Sequence, residues 1–393
     1  MLKGLRLAVL AGLLIAGSSG CGAHQDAARV PGGSAAPVIR SRQVGRTPSP
    51  GAGCTEAAVL NTWSLQRRAA QLVVVPVEEN AVLSAQPLAA EGAGGVILFG
   101  SYAPAALPAN LARLRRAAAS GPPLLVMTDE EGGEVQRMAN LVGSLPWPRV
   151  IAATMTTAQA RALAERAARR MRAAGVTMDL APVLDLSDSP GPDAADPDGP
   201  RSFSIHAPVA TAYGLAFARG LQEGGVIPVV KHFPGLGQAS YNSDFGPASV
   251  PPLRILKARA LRPFAAAIRA GLPAVLVANV SIPGLTGTLP ASLSPPAITG
   301  LLRHELGFRG LILTDSLSAL AVHDAGYSVP QAAAHAVEAG ADMVLFNTAS
   351  PVATADHVIA RIVAAVTSGR LPVPRLDEAV QHVLEAKNVS ACP

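Results

Sequence analysis

The length and composition of the chain indicate a large globular protein. It has 393 residues, of which 49% are hydrophobic and 15% are charged, so a disordered chain is excluded and a large apolar core is expected. The formal net charge is +5, but the arginines are scattered along helical patterns, as at Arg161, Arg166, Arg169 and Arg170. We interpret these arginines as solvated helix faces and predict no nucleic-acid partner.

Residues 1–20 are typical of a signal peptide for export. Lys3 and Arg6 form a positive start, residues 7–17 an apolar run too short to span a bilayer, and small residues precede Cys21. This ending resembles the bacterial lipobox, whose cysteine becomes the lipidated N-terminus, although that pattern prefers an aliphatic residue where Ser18 stands. We therefore predict a cell-envelope lipoprotein anchored to the membrane through Cys21; plain secretion with Cys21 unmodified is the alternative.

Export changes the interpretation of the two remaining cysteines, Cys54 and Cys392. An oxidising compartment permits disulfides, and closure of a barrel would bring its first and last elements together. We predict that the two cysteines pair, which for so long a loop would stabilise the fold by on the order of 5 kcal/mol. Two unpaired thiols are the alternative.

The rest of the chain divides into a linker and one folded domain. Residues 21–53 are rich in Gly, Pro, Ser and Ala without hydrophobic periodicity, which predicts a flexible tether. Over residues 54–393, short apolar runs alternate with amphipathic stretches, a pattern typical of a parallel sheet covered by helices. The pattern predicts eight strands, at residues 71–77, 94–100, 123–129, 176–186, 226–233, 274–280, 310–316 and 341–347.

Helices long enough for crossover connections are predicted between these strands. They lie at residues 109–119, 157–174, 207–223, 259–270, 296–306 and 331–338. The alternative architecture, an open doubly wound sheet, usually has about five to seven strands and a glycine-rich phosphate turn after the first. Pro76-Val77-Glu78-Glu79 is no such turn. We therefore predict the α/β class, with a single (β/α)8 TIM barrel over residues 54–393.

Polar residues gather at the ends of the predicted strands. They include residues 128–133, 179–185, 231–235 and 314–316, together with Asn279 and Asn347. In a (β/α)8 barrel the carboxyl ends of the strands meet at one mouth, where active sites are built. Carboxylates beside Lys, His, Arg and Asn suit a sugar, because its hydroxyls need many donors and acceptors and an oxocarbenium-like transition state needs a nearby anion.

Other site classes lack their sequence patterns. No His-x-His, His-Glu-x-x-His or cysteine cluster stands at a strand end, so we expect neither a metal nor another cofactor. A serine nucleophile lacks its elbow motif, and Gly132-Gly133 lacks the spacing of a nucleotide loop.

Six segments spread over most of residues 66–388 carry a specific combination of motifs. They are Asp129-Glu130-Glu131-Gly132-Gly133-Glu134-Val135-Gln136-Arg137, Ala181-Pro182-Val183-Leu184-Asp185, Arg201-Ser202-Phe203, Lys231-His232-Phe233-Pro234-Gly235, Pro290-Ala291-Ser292-Leu293-Ser294 and Leu313-Thr314-Asp315-Ser316-Leu317. Their order resembles glycoside hydrolase family 3, in its branch of single-domain bacterial β-N-acetylhexosaminidases of the lipoprotein type.

The resemblance implies roles for individual residues. Asp315 matches the nucleophile, which would attack the anomeric carbon and give a covalent glycosyl-enzyme with net retention. Asp129, Arg201, Lys231 and His232 match positions that hold the N-acetyl sugar in the first subsite. For Lys231 and His232, pairing with nearby carboxylates is the purely structural alternative.

One loop departs from the family pattern. In relatives, the segment after the Lys-His-Phe-Pro-Gly motif continues into a His-Gly pair and an Asp-Ser-His triplet, whose His is the general acid/base and whose Asp orients it. Here Leu236 replaces the first His, Asn242 the orienting Asp, and Asp244 the catalytic His. An unperturbed Asp has a pKa of about 3.9 and would hold little proton at neutral pH. The pKa of Asp244 would rise in a dry site close to Asp315.

Three hypotheses about function follow. The leading one is a retaining exo-acting β-N-acetylhexosaminidase that uses Asp244 as acid/base and removes terminal N-acetylglucosamine from peptidoglycan-derived fragments. The second is a catalytically impaired, sugar-binding lipoprotein that keeps the pocket and Asp315. The third is a family 3 hydrolase of another β-glycoside.

Overall fold

The computed structural model describes residues 59–119 and 121–390. The predicted signal peptide, Cys21, the linker, Cys54 and Cys392 lie outside these ranges, so the anchor and the disulfide stay predictions. Within the described ranges, no helix is both long enough and apolar enough to cross a membrane.

Eight parallel strands form the predicted barrel, and a short hairpin stands beside it. The strands are β1 (Val74–Glu78), β2 (Gly95–Phe99), β3 (Leu125–Thr128), β4 (Glu130–Gly132), β5 (Val135–Gln136), β6 (Met178–Asp179), β7 (Ile227–Phe233), β8 (Ala274–Val277), β9 (Leu311–Ser316) and β10 (Met343–Leu345). The order around the barrel is β1-β2-β3-β6-β7-β8-β9-β10, while β4 and β5 pair with each other. A parallel bridge between Val73 and Val344 joins the last strand to the first. The predicted α/β barrel is therefore confirmed.

The predicted fourth strand is too long. Only Met178 and Asp179 pair along both neighbouring strands, whereas the prediction extended the strand from residue 176 to residue 186. Pro182 has no N–H to donate to a ladder, and beyond it Val183 makes only an isolated bridge to Lys231. Backbone hydrogen bonds to β7 nevertheless continue as far as Leu184, whose N–H donates to the Lys231 carbonyl at 2.6 Å. The segment therefore runs beside β7 and carries Asp185 toward the mouth of the barrel.

Apolar residues fill both sides of the barrel wall, which explains why its strands are nearly continuous apolar runs. Along β8, for example, Ala274 and Leu276 belong to the interior cluster, whereas Val275 and Val277 pack with the surrounding helices. The interior cluster also includes Val383 from the last helix. The wall is thus a packed core with room for polar groups only at its ends.

The strands are connected by helices on the outside. The helices are Leu65–Ala70, Gln86–Glu91, Leu107–Ala117, Ala139–Val142, Pro148–Thr154, Thr157–Ala174, Ala207–Glu223, Leu253–Ala258, Leu261–Arg269, the π-helical segment Pro296–Glu305, Leu320–Asp324, Val329–Ala339, Pro351–Thr367 and Val373–Ala386. The predicted helices 157–174 and 207–223 are confirmed with their bounds. The Thr157–Ala174 helix begins at a capping box in which Thr156 and Gln159 satisfy each other's N–H groups.

The helix Val373–Ala386 closes the end of the barrel where the strands begin. His382 and the neighbouring Lys387 bond to Asp342 and Gln71, which precede β10 and β1. The opposite end, where the strands finish, is left for polar side chains.

Candidate active site

A polar cavity of about 200 Å3 opens at the carboxyl ends of the strands. The six residues that the sequence predicts for the site all line it: Asp129, Arg201, Lys231, His232, Asp244 and Asp315. They come from five separate segments of the chain, because Lys231 and His232 are adjacent. The structure therefore brings together every side chain that was assigned to catalysis or sugar binding.

Lys231 and Arg201 are held by a carboxylate network at the base of this cavity. The Nζ of Lys231 lies 2.6 Å from both Asp129 Oδ1 and Glu131 Oε1. Arg201 donates from Nε and Nη2 to the two oxygens of Glu131 at 2.8 and 2.7 Å, the bidentate geometry that fixes a guanidinium in one plane. Both cations thus pair with carboxylates, which for Lys231 is the structural alternative to sugar binding named in the sequence analysis. Both also line the cavity, so pairing does not remove them from the site.

Each charged group of this network favours the ionised form of its neighbours. Burial alone would raise the pKa of Glu131, but Arg201 and Lys231 outweigh it and hold that pKa far below its usual range. Burial likewise opposes ionisation of Asp129, yet Lys231 and Arg137 lower its pKa. Burial would lower the pKa of Lys231, but Asp129 and Glu131 raise it. All of these groups are charged at neutral pH, which gives hydroxyl groups of a sugar strong hydrogen-bond partners.

The hairpin formed by β4 and β5 positions Glu131. The buried carboxylate of Glu130 accepts the N–H groups of Arg137 and Met138, each at 2.7 Å, and so ties the hairpin's two ends together. Gly133 has a φ of +60°, and a Cβ there would lie 2.0 Å from the Trp147 ring. Only glycine fits at this turn, so the Gly-Gly pair is a requirement of packing.

His232 is oriented by Asp185. Its Nδ1 lies 2.6 Å from Asp185 Oδ2, and Asp185 also accepts the N–H of Leu236 at 2.7 Å. On the other side of the ring, Arg201 Nη2 lies 3.2 Å from His232 Nε2. Because a guanidinium can only donate, Nε2 accepts and Nδ1 carries the proton toward Asp185.

The end of β9 presents Asp315 to the cavity. The backbone N–H of Ser316 donates to Asp315 Oδ1 at 2.8 Å. The carbonyl of Ser316 accepts a bond from Asn279 Nδ2 at 2.7 Å, and Ser292 donates to the Asn279 oxygen at 2.6 Å. The Pro290–Ser294 motif therefore acts on the site indirectly, because it fixes the backbone beside Asp315.

Asp244 lies on the loop that follows β7 and is held by its backbone. Its N–H donates to Asn242 Oδ1 at 3.0 Å, and its carbonyl accepts the N–H of Leu320 at 3.3 Å. Its carboxylate accepts no hydrogen bond from any residue in the described ranges. Asn242 therefore orients the backbone of Asp244 and leaves the carboxylate unconstrained.

Burial in the site, and then the charge of Asp315, raise the pKa of Asp244 above its ordinary value. Arg201 and His232 act in the opposite direction but do not cancel the rise. The direction of this shift is the one expected from the sequence, but Asp244 is exposed at the mouth of the cavity, so its surroundings are not dry.

Three residues that contact the site were not assigned a role from the sequence: Glu131, Arg137 and Asp185. Glu131 and Arg137 stand in the quoted motif beside Asp129, and Asp185 ends the predicted fourth strand, so position alone could have flagged them. Arg137 Nη2 lies 3.6 Å from Asp129 Oδ2. Among the described residues, no cluster of His, Cys, Asp and Glu is arranged to hold a metal ion.

Comparison with known sequences identifies the family. Residues 64–386 match the domain described as the N-terminal domain of glycosyl hydrolase family 3. The chain belongs to glycosyl hydrolase family 3. The family 3 chain is also 36% identical over 389 residues to β-hexosaminidase LpqI of Mycobacterium tuberculosis, covering 97% of this chain and 96% of that relative.

Solved structures agree with this assignment. A family 3 glycosyl hydrolase from Mycobacterium smegmatis has 36% identity and a TM-score of 0.76, covering 85% of this chain and 98% of its own. A β-N-acetylhexosaminidase from Beutenbergia cavernae has 31% identity and a TM-score of 0.75, covering 83% and 99% of the two chains. The family that the sequence motifs predict is confirmed.

Proposed function

We propose that this family 3 enzyme is a retaining, exo-acting β-N-acetylhexosaminidase that removes terminal N-acetylglucosamine. The observation that carries the proposal is one cavity in which Asp244 and Asp315 face the network of Lys231, Arg201 and Asp129. Support also comes from relatives that are named β-hexosaminidase or β-N-acetylhexosaminidase. A cavity of about 200 Å3 is smaller than typical ligand pockets of roughly 300–1,000 Å3, which suits a single terminal sugar ring.

In the first step, Asp315 attacks the anomeric carbon as the glycosidic bond breaks. The electron pair of that bond passes to the leaving oxygen, which takes the proton of Asp244, and the sugar becomes an ester of Asp315. The raised pKa of Asp244 favours the protonated form that this step requires.

In the second step, water attacks the anomeric carbon and releases Asp315. Esterification has removed the negative charge of Asp315, so one cause of the raised pKa of Asp244 disappears. Asp244 then accepts a proton from the attacking water and regains its starting form. Two inversions at the anomeric carbon give net retention.

The network at the base of the cavity is suited to bind the sugar and not to react with it. Asp129 and Glu131 can accept from hydroxyl groups, and Lys231 and Arg201 can donate to hydroxyl or acetamido oxygens. Their pairing with one another fixes their positions before the substrate arrives, which reduces the entropy lost on binding.

The origin of the substrate and the location of the enzyme belong to the same proposal. Export, followed by lipid attachment at Cys21, would place the enzyme in the cell envelope, next to peptidoglycan-derived fragments that end in N-acetylglucosamine. In cells of a lipoprotein-processing bacterium, the parent should fractionate with membranes, and Cys21→Ser should release it. A parent recovered only in the soluble fraction would contradict the anchor and leave the enzymatic proposal intact.

A catalytically impaired sugar-binding protein is the second candidate. One observation favours it: the Asp244 carboxylate has no orienting partner within the described ranges. An unoriented acid protonates the leaving oxygen less efficiently.

Hydrolysis of p-nitrophenyl β-N-acetylglucosaminide distinguishes the two candidates. The parent should turn over, and Asp315→Asn should lose about a thousandfold or more of kcat/KM, because the amide is no nucleophile. Asp356→Asn, an exposed carboxylate on the helix Pro351–Thr367, is the matched control and should retain parental activity. A parent that binds N-acetylglucosamine but hydrolyses nothing would support the sugar-binding protein.

A further inference from the structure

Three exposed apolar residues belong to the two segments of the chain that meet at Asp244. Seven large hydrophobic side chains in the described ranges are strongly exposed, and three of them are Tyr241 (36%), Phe245 (56%) and Leu320 (45%). Phe245 directly follows Asp244 in the loop after β7, Tyr241 precedes Asp244 by three residues, and the backbone N–H of Leu320 bonds to the Asp244 carbonyl. Single exposed hydrophobic residues are ordinary, but their concentration beside a catalytic cavity is typical of a binding surface.

The fold fixes this patch relative to both catalytic carboxylates. Leu320 begins a helix that follows β9, the strand that carries Asp315. Its N–H bonds to the Asp244 carbonyl at 3.3 Å, and the N–H of Ala321 bonds to the Ser243 carbonyl at 3.1 Å. Phe245 N–H closes a turn onto the carbonyl of Asn242 at 3.0 Å. The loop with Asp244 and the segment after Asp315 therefore form one connected rim.

The reaction geometry determines what occupies this rim. A general acid must come within about 2.6–3.2 Å of the atom that it protonates, so the glycosidic oxygen lies beside the Asp244 carboxyl. The terminal sugar occupies the enclosed, charged part of the cavity, and the leaving group must extend from that oxygen toward the solvent. Asp244 is itself on the exposed side, where Phe245 and Leu320 are its neighbours.

We propose that Phe245 and Leu320 form the platform that binds the first ring of the leaving group. This inference rests on the proposed function and specifies its substrate. The occupant is a second pyranose ring, whose axial C–H groups give it an apolar face that can cover a phenyl ring and a leucine side chain. The enzyme would thus select β-linked disaccharides and longer chains by contacts outside the terminal-sugar pocket.

The test compares two substrates that differ only in the leaving group. N-acetyl-β-D-glucosaminyl fluoride has no ring to place on the platform, whereas N,N′-diacetylchitobiose has one. For Phe245→Ala and Leu320→Ala, we expect kcat/KM to fall about tenfold with the disaccharide and to stay at the parental value with the fluoride. Phe245→Tyr keeps the apolar ring and should retain the parental preference.

Val373→Ala is the matched control, because Val373 is also exposed (40%) but begins the helix at the opposite end of the barrel. It should leave both substrates unaffected, and unchanged melting temperatures will show that the variants fold. Suppose that the parent hydrolyses both substrates. If Phe245→Ala and Leu320→Ala then lower kcat/KM equally for the two substrates, or for neither, the platform is overturned and the proposed function stands. If the parent hydrolyses neither, the proposed function is overturned and the platform with it.

Discussion

Asp185 is hydrogen-bonded to His232 at two points, the imidazole ring and the backbone N–H. Its Oδ2 lies 2.6 Å from Nδ1 of the ring, and the backbone N–H of His232 points at both carboxylate oxygens at 3.2 Å. The carboxylate thus sets the tautomer of the imidazole as well as its place in the strand end. Asp185, a buried acid to which the sequence assigned no role, therefore positions His232, to which the sequence assigned sugar binding.

Asp185→Asn should lower kcat/KM by about a hundredfold. An amide NH2 facing Nδ1 would favour the tautomer protonated at Nε2, and that proton would then oppose the guanidinium of Arg201 at 3.2 Å. Steady-state kinetics with an aryl N-acetylglucosaminide will measure the loss.

Asp179→Asn is a matched control for that variant. Asp179 is also fully buried, and burial raises its pKa well above the usual range, which favours the neutral acid that an amide mimics. Its Oδ1 accepts the Glu130 N–H at 2.9 Å, a bond that an amide oxygen can keep. We expect near-parental kinetics, and equal losses in the two variants would show that Asp185 acts only through general packing.

Asp244→Asn should affect substrates according to their leaving groups. A 2,4-dinitrophenyl group departs with little protonation, whereas a sugar alcohol requires an acid, so the disaccharide should lose about 100-fold or more in kcat/KM and the aryl glycoside much less in its first step. Azide needs no general base and should restore turnover of the aryl substrate as the glycosyl azide. Equal losses with both substrates and no azide rescue would remove Asp244 from the acid/base role.

The pH dependence of kcat/KM is a second test of Asp244 as the general acid. Asp244 must be protonated to act as the acid, and burial and the charge of Asp315 raise its pKa. The kcat/KM of the parent should therefore decline as the pH rises through that raised pKa. With the disaccharide, Asp244→Asn should show no such decline of kcat/KM. A decline that persists in this variant would mean that another group causes it.

Lys231→Met should destabilise the fold by about 3 kcal/mol at neutral pH. The variant leaves the carboxylates of Asp129 and Glu131, both 2.6 Å from the lost amine, without their shared cation. Their pKa values are lowered in the parent, so the stability that they contribute is present at neutral pH and is lost as the pH falls. The penalty in the variant should accordingly shrink toward acid pH, as measured by denaturant unfolding.

Lys257→Met is the control for Lys231→Met. Its partner Glu305 lies 2.7 Å away, but both side chains are about half exposed, so the change should stay within about 0.5 kcal/mol. A similar loss in both variants would contradict the buried network as the source of the effect.

Hydrophobic patterning predicted the strands well because the barrel wall is buried on both faces. It therefore placed Asp129, Lys231, His232 and Asp315 at one mouth. It made the fourth strand too long, because regular pairing with both neighbours stops at Asp179 and Val183 makes only an isolated bridge, which no apolar count reveals.

The ion pairs within the site also could not be predicted from the sequence. Lys231 is shared between Asp129 and Glu131, and only the hairpin geometry around Gly133 decides which carboxylate it meets. The pKa of Asp244 depends on its place in the cavity near Asp315, and these two residues are far apart in the sequence.

Glu79→Gln should make the protein more stable than the parent as the pH rises. Glu79 follows β1 and is only 3% exposed, and neither of its oxygens has a hydrogen-bond partner in the described ranges. Burial, then the charge of Glu130, raise its pKa to about 7, with Glu78 adding to the rise. The backbone N–H of Tyr102, which approaches the carboxylate without the geometry of a full hydrogen bond, and the charge of Arg137 oppose it. The folded state therefore holds this proton more tightly than the unfolded state does. Stability is full below the ordinary pKa of about 4.5 and declines as the pH rises through the folded pKa.

Glutamine is a permanent mimic of the neutral acid and removes that decline. The difference in melting temperature, variant minus parent, should grow by roughly 2 °C or more between pH 5 and pH 8. The exposed Glu378→Gln, whose partner is Arg375, should show a pH-independent difference over the same range. A Glu79→Gln difference that stays constant with pH would mean that Glu79 is ionised in the folded protein, and that a partner for its carboxylate forms in solution.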